Sequence, residues 1–124
     1  MNYFRKFLCV ALALAGFISA AAADEQSGRQ VFERRCRGCH GGASGPADYP
    51  IGPRLDGIVG SNAGTADHGV HSRAVMDSGI VWDRDSLRRF LSNPQGEVPG
   101  TLMAARVSDP AELEDLLDYL ESLR

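Results

Sequence analysis

Two cysteines three positions apart, followed at once by a histidine, constrain this chain more than any other feature of its sequence. The stretch is Cys36-Arg37-Gly38-Cys39-His40. Two thiols at this spacing can reach one edge of a porphyrin and add across its vinyl groups, and the histidine can then bind the iron through an imidazole nitrogen. This order of residues is typical of covalent attachment of a c-type haem.

Three other chemistries use cysteines at this spacing. A thiol–disulfide oxidoreductase places its C-x-x-C between a strand and a helix, whereas here a helical segment precedes the motif and a glycine-rich loop follows it. A zinc site needs further ligands, and His68 and His71 are weak substitutes for them. A plain structural disulfide would be strained at this spacing. We favour haem attachment, a hypothesis that depends on the rest of the chain.

The N-terminal segment, residues 1–23, has the composition of a secretory signal peptide. Arg5 and Lys6 precede an apolar run over residues 7–18, and small residues up to Ala23 offer a cleavage site. The run is short for a membrane span of about 20 residues, so an uncleaved anchor is the weaker alternative. We predict cleavage after Ala23, a periplasmic location and no stable membrane insertion. Cys9 leaves with this segment.

The remaining residues, 24–124, are predicted to form one small domain of acidic character. The 124-residue chain has 13 basic and 16 acidic residues, and its only lysine, Lys6, lies in the predicted signal. This balance argues against a nucleic-acid partner. A domain of this size has a modest core, which a covalently bound apolar cofactor would enlarge.

The hydrophobic pattern before residue 108 predicts three helices joined by long loops, with no β-strand. The helices are predicted over 24–37, 72–77 and 83–91, the first with a capping box formed by Ser27 and Gln30. Glycine and proline density predicts irregular structure over 41–62 and 95–107. Loops of this length are usually functional or disordered.

The last helix has the clearest signals. Asp109 is the predicted N-cap and Pro110 the first helical residue. The following residues repeat at helical spacing and predict one buried face, made of Leu113, Leu116, Leu117, Tyr119, Leu120 and Leu123.

A second axial ligand for the iron must come from a distant part of the chain. Methionine opposite histidine raises the reduction potential of a haem, and residues 24–124 offer Met76 and Met103. Met103 follows Pro99-Gly100-Thr101 in a stiff loop. Met76 lies in a short helical stretch, where methionine usually fills core space. We predict Met103 as the ligand, with Met76 as the alternative.

Taken in order, these features resemble the class I monohaem cytochromes c, the family that includes mitochondrial cytochrome c and many bacterial periplasmic relatives. The resemblance covers nearly all of residues 24–124. It rests on Gly28, Phe32, Cys36-x-x-Cys39-His40, Gly52-Pro53-x-Leu55-x-Gly57, Ser78-Gly79-Ile80-Val81-Trp82, Leu87-x-x-Phe90-Leu91-x-Asn93-Pro94, Val98-Pro99-Gly100-Thr101-x-Met103 and Asp115-Leu116-x-x-Tyr119-Leu120.

The resemblance implies an all-α fold in which the first and last helices cross at Gly28, with short middle helices and long loops wrapped around one covalent haem c. It implies that the axial ligands are His40 and Met103, with the Pro53 carbonyl accepting the other N–H of His40. It also implies a haem pocket that includes Cys36, Cys39, Pro53, His71, Trp82 and Thr101. The alternative role for Trp82 is plain core packing.

The positions that depart from the family pattern include Phe90 and His71. Phe90 stands where many relatives have a tyrosine whose hydroxyl bonds the methionine sulfur, and His71 stands where a tyrosine often contacts a haem propionate. Histidine changes charge near pH 5 to 8. We hypothesise that His71, together with His68, titrates against a propionate and makes the reduction potential depend on pH.

The implied function is that of a periplasmic carrier of single electrons, not an enzyme. Two alternatives stay open: a dedicated cytochrome subunit of a periplasmic dehydrogenase, and a haem-based sensor. The chain would be a monomer or a subunit of a redox complex. Basic residues cluster beside the motif while the last helix is acidic, which predicts a redox partner with an acidic docking patch; the basic residues are Arg29, Arg34, Arg35 and Arg37.

Overall fold

A computed structural model of the chain describes residues 24–41, 51–67 and 69–123. The predicted signal peptide lies outside these residues, as do His68 and part of the predicted loop over 41–62. The described helices are α1 (24–35), α2 (Arg37–His40), α3 (Arg73–Met76), α4 (Arg84–Ser92), α5 (Pro94–Glu97) and α6 (Pro110–Ser122). In these three ranges the only β-pairing is an isolated bridge between Asn62 and Val81, so the all-α prediction is confirmed.

Helices α1 and α6 cross with their backbones in contact. A Cβ atom on Gly28 would lie 1.9 Å from the carbonyl oxygen of Asp115 and 2.7 Å from Cβ of Tyr119. The rings of Phe32 and Tyr119 pack beside this point with their centroids 5.4 Å apart, and Leu116 is completely buried. The predicted close crossing at Gly28 is therefore present.

Helix α4 packs against α6 through one apolar and one ionic layer. Leu87, Phe90 and Leu91 share a buried cluster with the leucines of α6. Above it, the Arg84 guanidinium bonds carboxylates on α6, which belong to Glu114 (2.9 Å), Asp118 (2.7 Å) and Glu121 (2.9 Å). Arg88 also reaches Glu114, at 2.7 Å. These bonds fix α4 and α6 as one unit along the side of the molecule.

Local capping signals explain where the later helices begin. Asp109 accepts a bond from the backbone N–H of Glu112 at 2.9 Å, and Ser72 accepts one from Val75 at 3.2 Å. Asp83 forms a reciprocal capping box with Ser86. The predicted starts of α3, α4 and α6 are therefore correct.

Two predictions about local structure are wrong. Ser27 and Gln30 do not form the start of the first helix, because the chain is already helical at residue 24. The segment after Asn93 is not all loop, because the Asn93 side chain accepts a bond from the backbone N–H of Gly96 at 3.2 Å and caps α5. Asn93 thus ends one helix and begins the next.

No helix within residues 24–41, 51–67 and 69–123 has both the length and the apolar character that a membrane span requires.

Candidate functional site

One cavity of about 300 Å³ brings together all the residues predicted for the site. They come from five separate stretches of the chain: Cys36, Cys39, His40, Pro53, His71, Trp82, Thr101 and Met103. The rest of the lining is mainly apolar and includes Ile58, Val75, Leu87, Phe90, Leu91, Leu116 and Leu120. The fold therefore gathers thiols, an imidazole and a thioether in a water-poor space.

The cysteine motif lies on a helical turn at the end of α1. The backbone N–H groups of Cys39 and His40 both bond the carbonyl of Cys36, at 3.1 and 2.9 Å. Both thiols are free, with Cys36 buried and Cys39 exposed. Burial raises the pKa of the Cys36 thiol to about 11, although the Arg35 guanidinium opposes the shift. A reactive redox thiol needs a lowered pKa, so the oxidoreductase alternative finds no support here.

His40 is held in one orientation. Its Nδ1 lies 2.7 Å from the carbonyl oxygen of Pro53, so Nδ1 carries the proton and donates it, which leaves the lone pair on Nε2. A Cβ on Gly52 would lie 2.7 Å from Cε1 of His40, so the absence of a side chain there lets the backbone pass close to the ring. Burial lowers the pKa of His40, and the bond to Pro53 opposes the shift. A neutral, oriented imidazole is the form that binds metals.

Met103 and Met76 occupy different environments. Met103 is partly buried, packs against the core and lines the cavity. Its backbone N–H bonds Oγ1 of Thr101 at 3.3 Å. Met76 is 50% exposed and does not line the cavity, so its predicted role as core filler is wrong. Its neighbour in space is Gly64, where a Cβ would lie 2.7 Å from Cγ of Met76.

The aromatic and histidine positions lie at the same cavity. Trp82 is buried, and its ring centroid is 4.9 Å from that of Phe90. Phe90 carries no hydroxyl, so it offers no hydrogen bond to a sulfur. Nε2 of His71 lies 2.8 Å from the carbonyl oxygen of Ala66. His68, the second histidine of the pH hypothesis, lies outside the described residues.

Sequence interpretation missed two aspects of the site. The Gln95 side chain donates a hydrogen bond to the carbonyl of Thr101 at 2.7 Å. The only sequence signal for this bond is that Gln95 follows Pro94 just before the predicted loop. The arginines beside the motif are also less available than predicted. Arg34 and Arg35 both bond Glu112, at 3.0 and 3.1 Å, and Arg37 bonds Glu33 at 2.7 Å. The positive cluster is therefore partly neutralised.

A simple metal site is not supported. In the part of the chain that the structure describes, no group of three or more His, Cys, Asp or Glu residues could hold a metal ion. A zinc ion bound by Cys36 and Cys39 would therefore find no further ligands among those residues.

Comparison with known proteins decides the family. The family model for cytochrome c matches residues 25–124. The chain belongs to the cytochrome c family. Cytochrome c2 of Blastochloris viridis is 36% identical over 119 residues, which cover 94% of this chain and 92% of that protein. Cytochrome c2 of Agrobacterium tumefaciens (strain II Chrys) is 40% identical over 101 residues, or 78% and 89% of the two chains.

A solved structure agrees. Cytochrome cH from Methylobacterium extorquens superposes with a TM-score of 0.67 at 35% identity, covering 78% of this chain and 96% of the other. Cytochromes c are electron-transfer proteins that carry one covalently bound haem c and function with redox partners. This cytochrome is accordingly an electron carrier with a c-type haem and not an enzyme.

The residues of the cavity fit that cofactor. Both cysteines have free thiols, as thioether formation requires. His40 presents Nε2 because Nδ1 is bonded to Pro53. The mainly apolar lining suits a macrocycle that must be kept from water.

Proposed function

We propose that this cytochrome c is a periplasmic carrier of single electrons in which His40 and Met103 bind the haem iron. The observation that supports it best is the mainly apolar cavity lined by two thiols, an oriented imidazole and a thioether. The periplasmic location rests on the predicted signal peptide over residues 1–23.

Each residue then has a stated task. When bound, the haem supplies a one-electron couple at its iron. Cys36 and Cys39 would hold it covalently, His40, oriented by Pro53, would bind the iron through Nε2, and Met103 would bind it through its sulfur. With two protein ligands on the iron, substrates would be kept away from the metal. Trp82 would donate a hydrogen bond to a propionate, with Thr101 and His71 as further pocket residues.

The proposed partner is a redox protein with an acidic docking patch. Arg35 and Arg106 both line the cavity and are exposed, so their charges lie beside the bound group. Long-range attraction between such charges and an acidic partner would speed encounter. We propose that the carrier is a monomer or a subunit of a redox complex.

The ligand assignment is tested by visible spectra of the mature, haem-loaded protein in both oxidation states. We expect a low-spin spectrum with a sulfur-to-iron charge-transfer band in the oxidised form. Met103→Ala should abolish that band and Met76→Ala should preserve it. A protein without covalent haem would overturn the whole proposal, whereas loss of the band in Met76→Ala alone would reassign the ligand.

The location is tested by mass spectrometry of the periplasmic fraction. A mature chain that begins at Asp24 and carries the mass of one haem is expected. A chain that keeps residues 1–23 and sediments with the membrane would support the anchor instead.

The role proposed for His71 is tested by measuring the reduction potential of the haem-loaded protein between pH 5 and 8. We expect a potential that changes over this range in the wild type and changes less in His71→Gln. A flat wild-type profile would exclude the hypothesis.

A further inference from the structure

We propose that Gln95 is a positioning residue for Met103: its side-chain amide holds the Thr101 carbonyl and so fixes the segment that presents the thioether. The inference rests on the proposed ligation by Met103. It adds a residue that makes no contact with the iron and acts through the backbone.

Gln95 lies on a fixed base. It is part of α5, which begins at the buried Pro94 and is capped by the Asn93 side chain. The backbone N–H of Val98 closes the helix by bonding the Pro94 carbonyl at 2.9 Å. Gln95 itself is exposed, yet Nε2 bonds the carbonyl oxygen of Thr101 at 2.7 Å in a partly buried position.

Thr101 is the pivot of the segment that follows. It is buried, and each of its polar groups is engaged. Its N–H bonds the Val98 carbonyl at 3.0 Å, and its Oγ1 accepts from the Met103 N–H at 3.3 Å. Its carbonyl is the acceptor for Gln95. Two hydrogen bonds, both made by Thr101, therefore connect the Gln95 side chain to the backbone of Met103.

The other side of Met103 is held less closely. Residues 104–106, which follow Met103, are exposed. The next backbone anchor is Val107, whose N–H bonds the carbonyl of Leu91 at 2.9 Å. Phe90 has no donor for the sulfur, because its side chain carries no hydroxyl, and its ring packs on Trp82. The position of the thioether thus depends mainly on the turn at Thr101, and the Gln95 side chain stabilises that turn by its bond to the Thr101 carbonyl.

Removal of the amide should loosen Met103 without unfolding the protein. An intramolecular hydrogen bond contributes a net stabilisation that corresponds to a roughly 2- to 13-fold change in an equilibrium constant. We therefore expect the equilibrium constant for losing the sulfur-to-iron band to rise by about that factor in Gln95→Ala. Gln95→Glu keeps the shape but has no donor when ionised, so its effect should be at least as large.

The experiment titrates haem-loaded protein with guanidinium chloride and follows the charge-transfer band and the far-ultraviolet circular dichroism together. Gln30→Ala, an exposed glutamine on α1, is the matched control, and Gln95→Lys, which restores a donor, tests rescue. The proposal requires that band loss moves to lower denaturant in Gln95→Ala while helix unfolding stays unchanged, and that Gln95→Lys recovers part of the shift.

Three results would overturn it. Gln95→Ala could match both the wild type and Gln30→Ala, which means that the bond does not position Met103. Its band loss and helix unfolding could shift equally, which means that Gln95 has a purely structural role. The band could persist in Met103→Ala, in which case the ligand assignment fails first, and the two failures are told apart by that variant.

Discussion

The crossing of α1 and α6 and the wall of the cavity are stabilised in different ways. At the crossing, Gly28 meets the backbone of Asp115 and the buried Phe32 ring packs on Tyr119, so the chain's own atoms complete the packing there. The wall over residues 51–67, 69–71 and 98–107 is loop, joined by single backbone bonds such as Val70 N–H to the Ile51 carbonyl at 3.0 Å. We therefore expect the second region to depend on the covalent haem more strongly than the first.

The largest effect should come from removing both attachment points. Cys36→Ser with Cys39→Ser should abolish covalent haem and lower amide protection in 51–71 and 98–107 much more than in α6, because the loops lose the group that they wrap. Hydrogen exchange with mass spectrometry measures both regions in one sample. Equal loss of protection in the loops and in α6 would contradict the contrast between the two regions.

The crossing itself can be broken by a single methyl-bearing side chain. Gly28→Val places Cβ 1.9 Å from a backbone carbonyl, and no rotamer change relieves this contact. We expect a loss of about 3 kcal/mol or more in the free energy of unfolding of haem-loaded protein, measured by denaturant titration.

Gly38→Ala is the matched control for that variant. It lies between the two cysteines, and nothing is within 4 Å of its added Cβ. We expect a change of less than about 1 kcal/mol. A Gly28→Val protein as stable as Gly38→Ala would mean that the helices do not cross as closely as described.

The ionic layer between α4 and α6 should make the stability of the packed helices sensitive to acid. Hydrogen bonds from Arg88 and Arg84 lower the pKa of Glu114 from 4.5 to about 2. Because the folded pKa is the lower one, this contribution is complete above pH 4.5 and is lost as the pH falls from 4.5 toward 2. Thermal melting across this range should show a smaller acid-induced decrease in Glu114→Gln than in the wild type.

Glu25→Gln, on the exposed start of α1, provides the control for that measurement. It lies outside the network of Arg84 and Arg88, and we expect its melting profile to follow the wild type. An unchanged profile in Glu114→Gln as well would place the acid sensitivity elsewhere in the protein.

The smallest effect concerns the boundary between the two regions, where Glu112 of α6 bonds Arg34 and Arg35. Glu112→Gln should release positive charge next to the cavity and speed electron transfer with ferrocyanide relative to a cationic cobalt complex. We expect a roughly two- to fivefold change in this ratio at low salt, which disappears at high salt. Glu114→Gln is the control, because Glu114 bonds Arg84 and Arg88 instead of Arg35, and an equal response in both variants would count against docking at this boundary.

Much of the fold could be predicted from the sequence because its signals are local. Asp83 and Asp109 cap helices by bonding N–H groups three residues ahead, and such bonds need only the neighbouring residues. The capping box at Ser27 and Gln30 is wrong because Ser27 has the right residue type, while the chain is already helical at residue 24. Met76 was mispredicted because exposure depends on what packs nearby, and helical periodicity alone does not report that.

By itself, the sequence determined the cysteine–histidine motif, the helix boundaries set by caps, and the glycine that permits the crossing, since each depends on residue type and short spacing. Only the tertiary structure decided that Pro53 orients His40 from 13 positions away and that Met103 faces the cavity while Met76 does not. It also decided that Glu112 neutralises Arg34 across a separation of 78 residues. Such contacts join distant segments, and they exist only once the helices have packed and the loops between them have been placed.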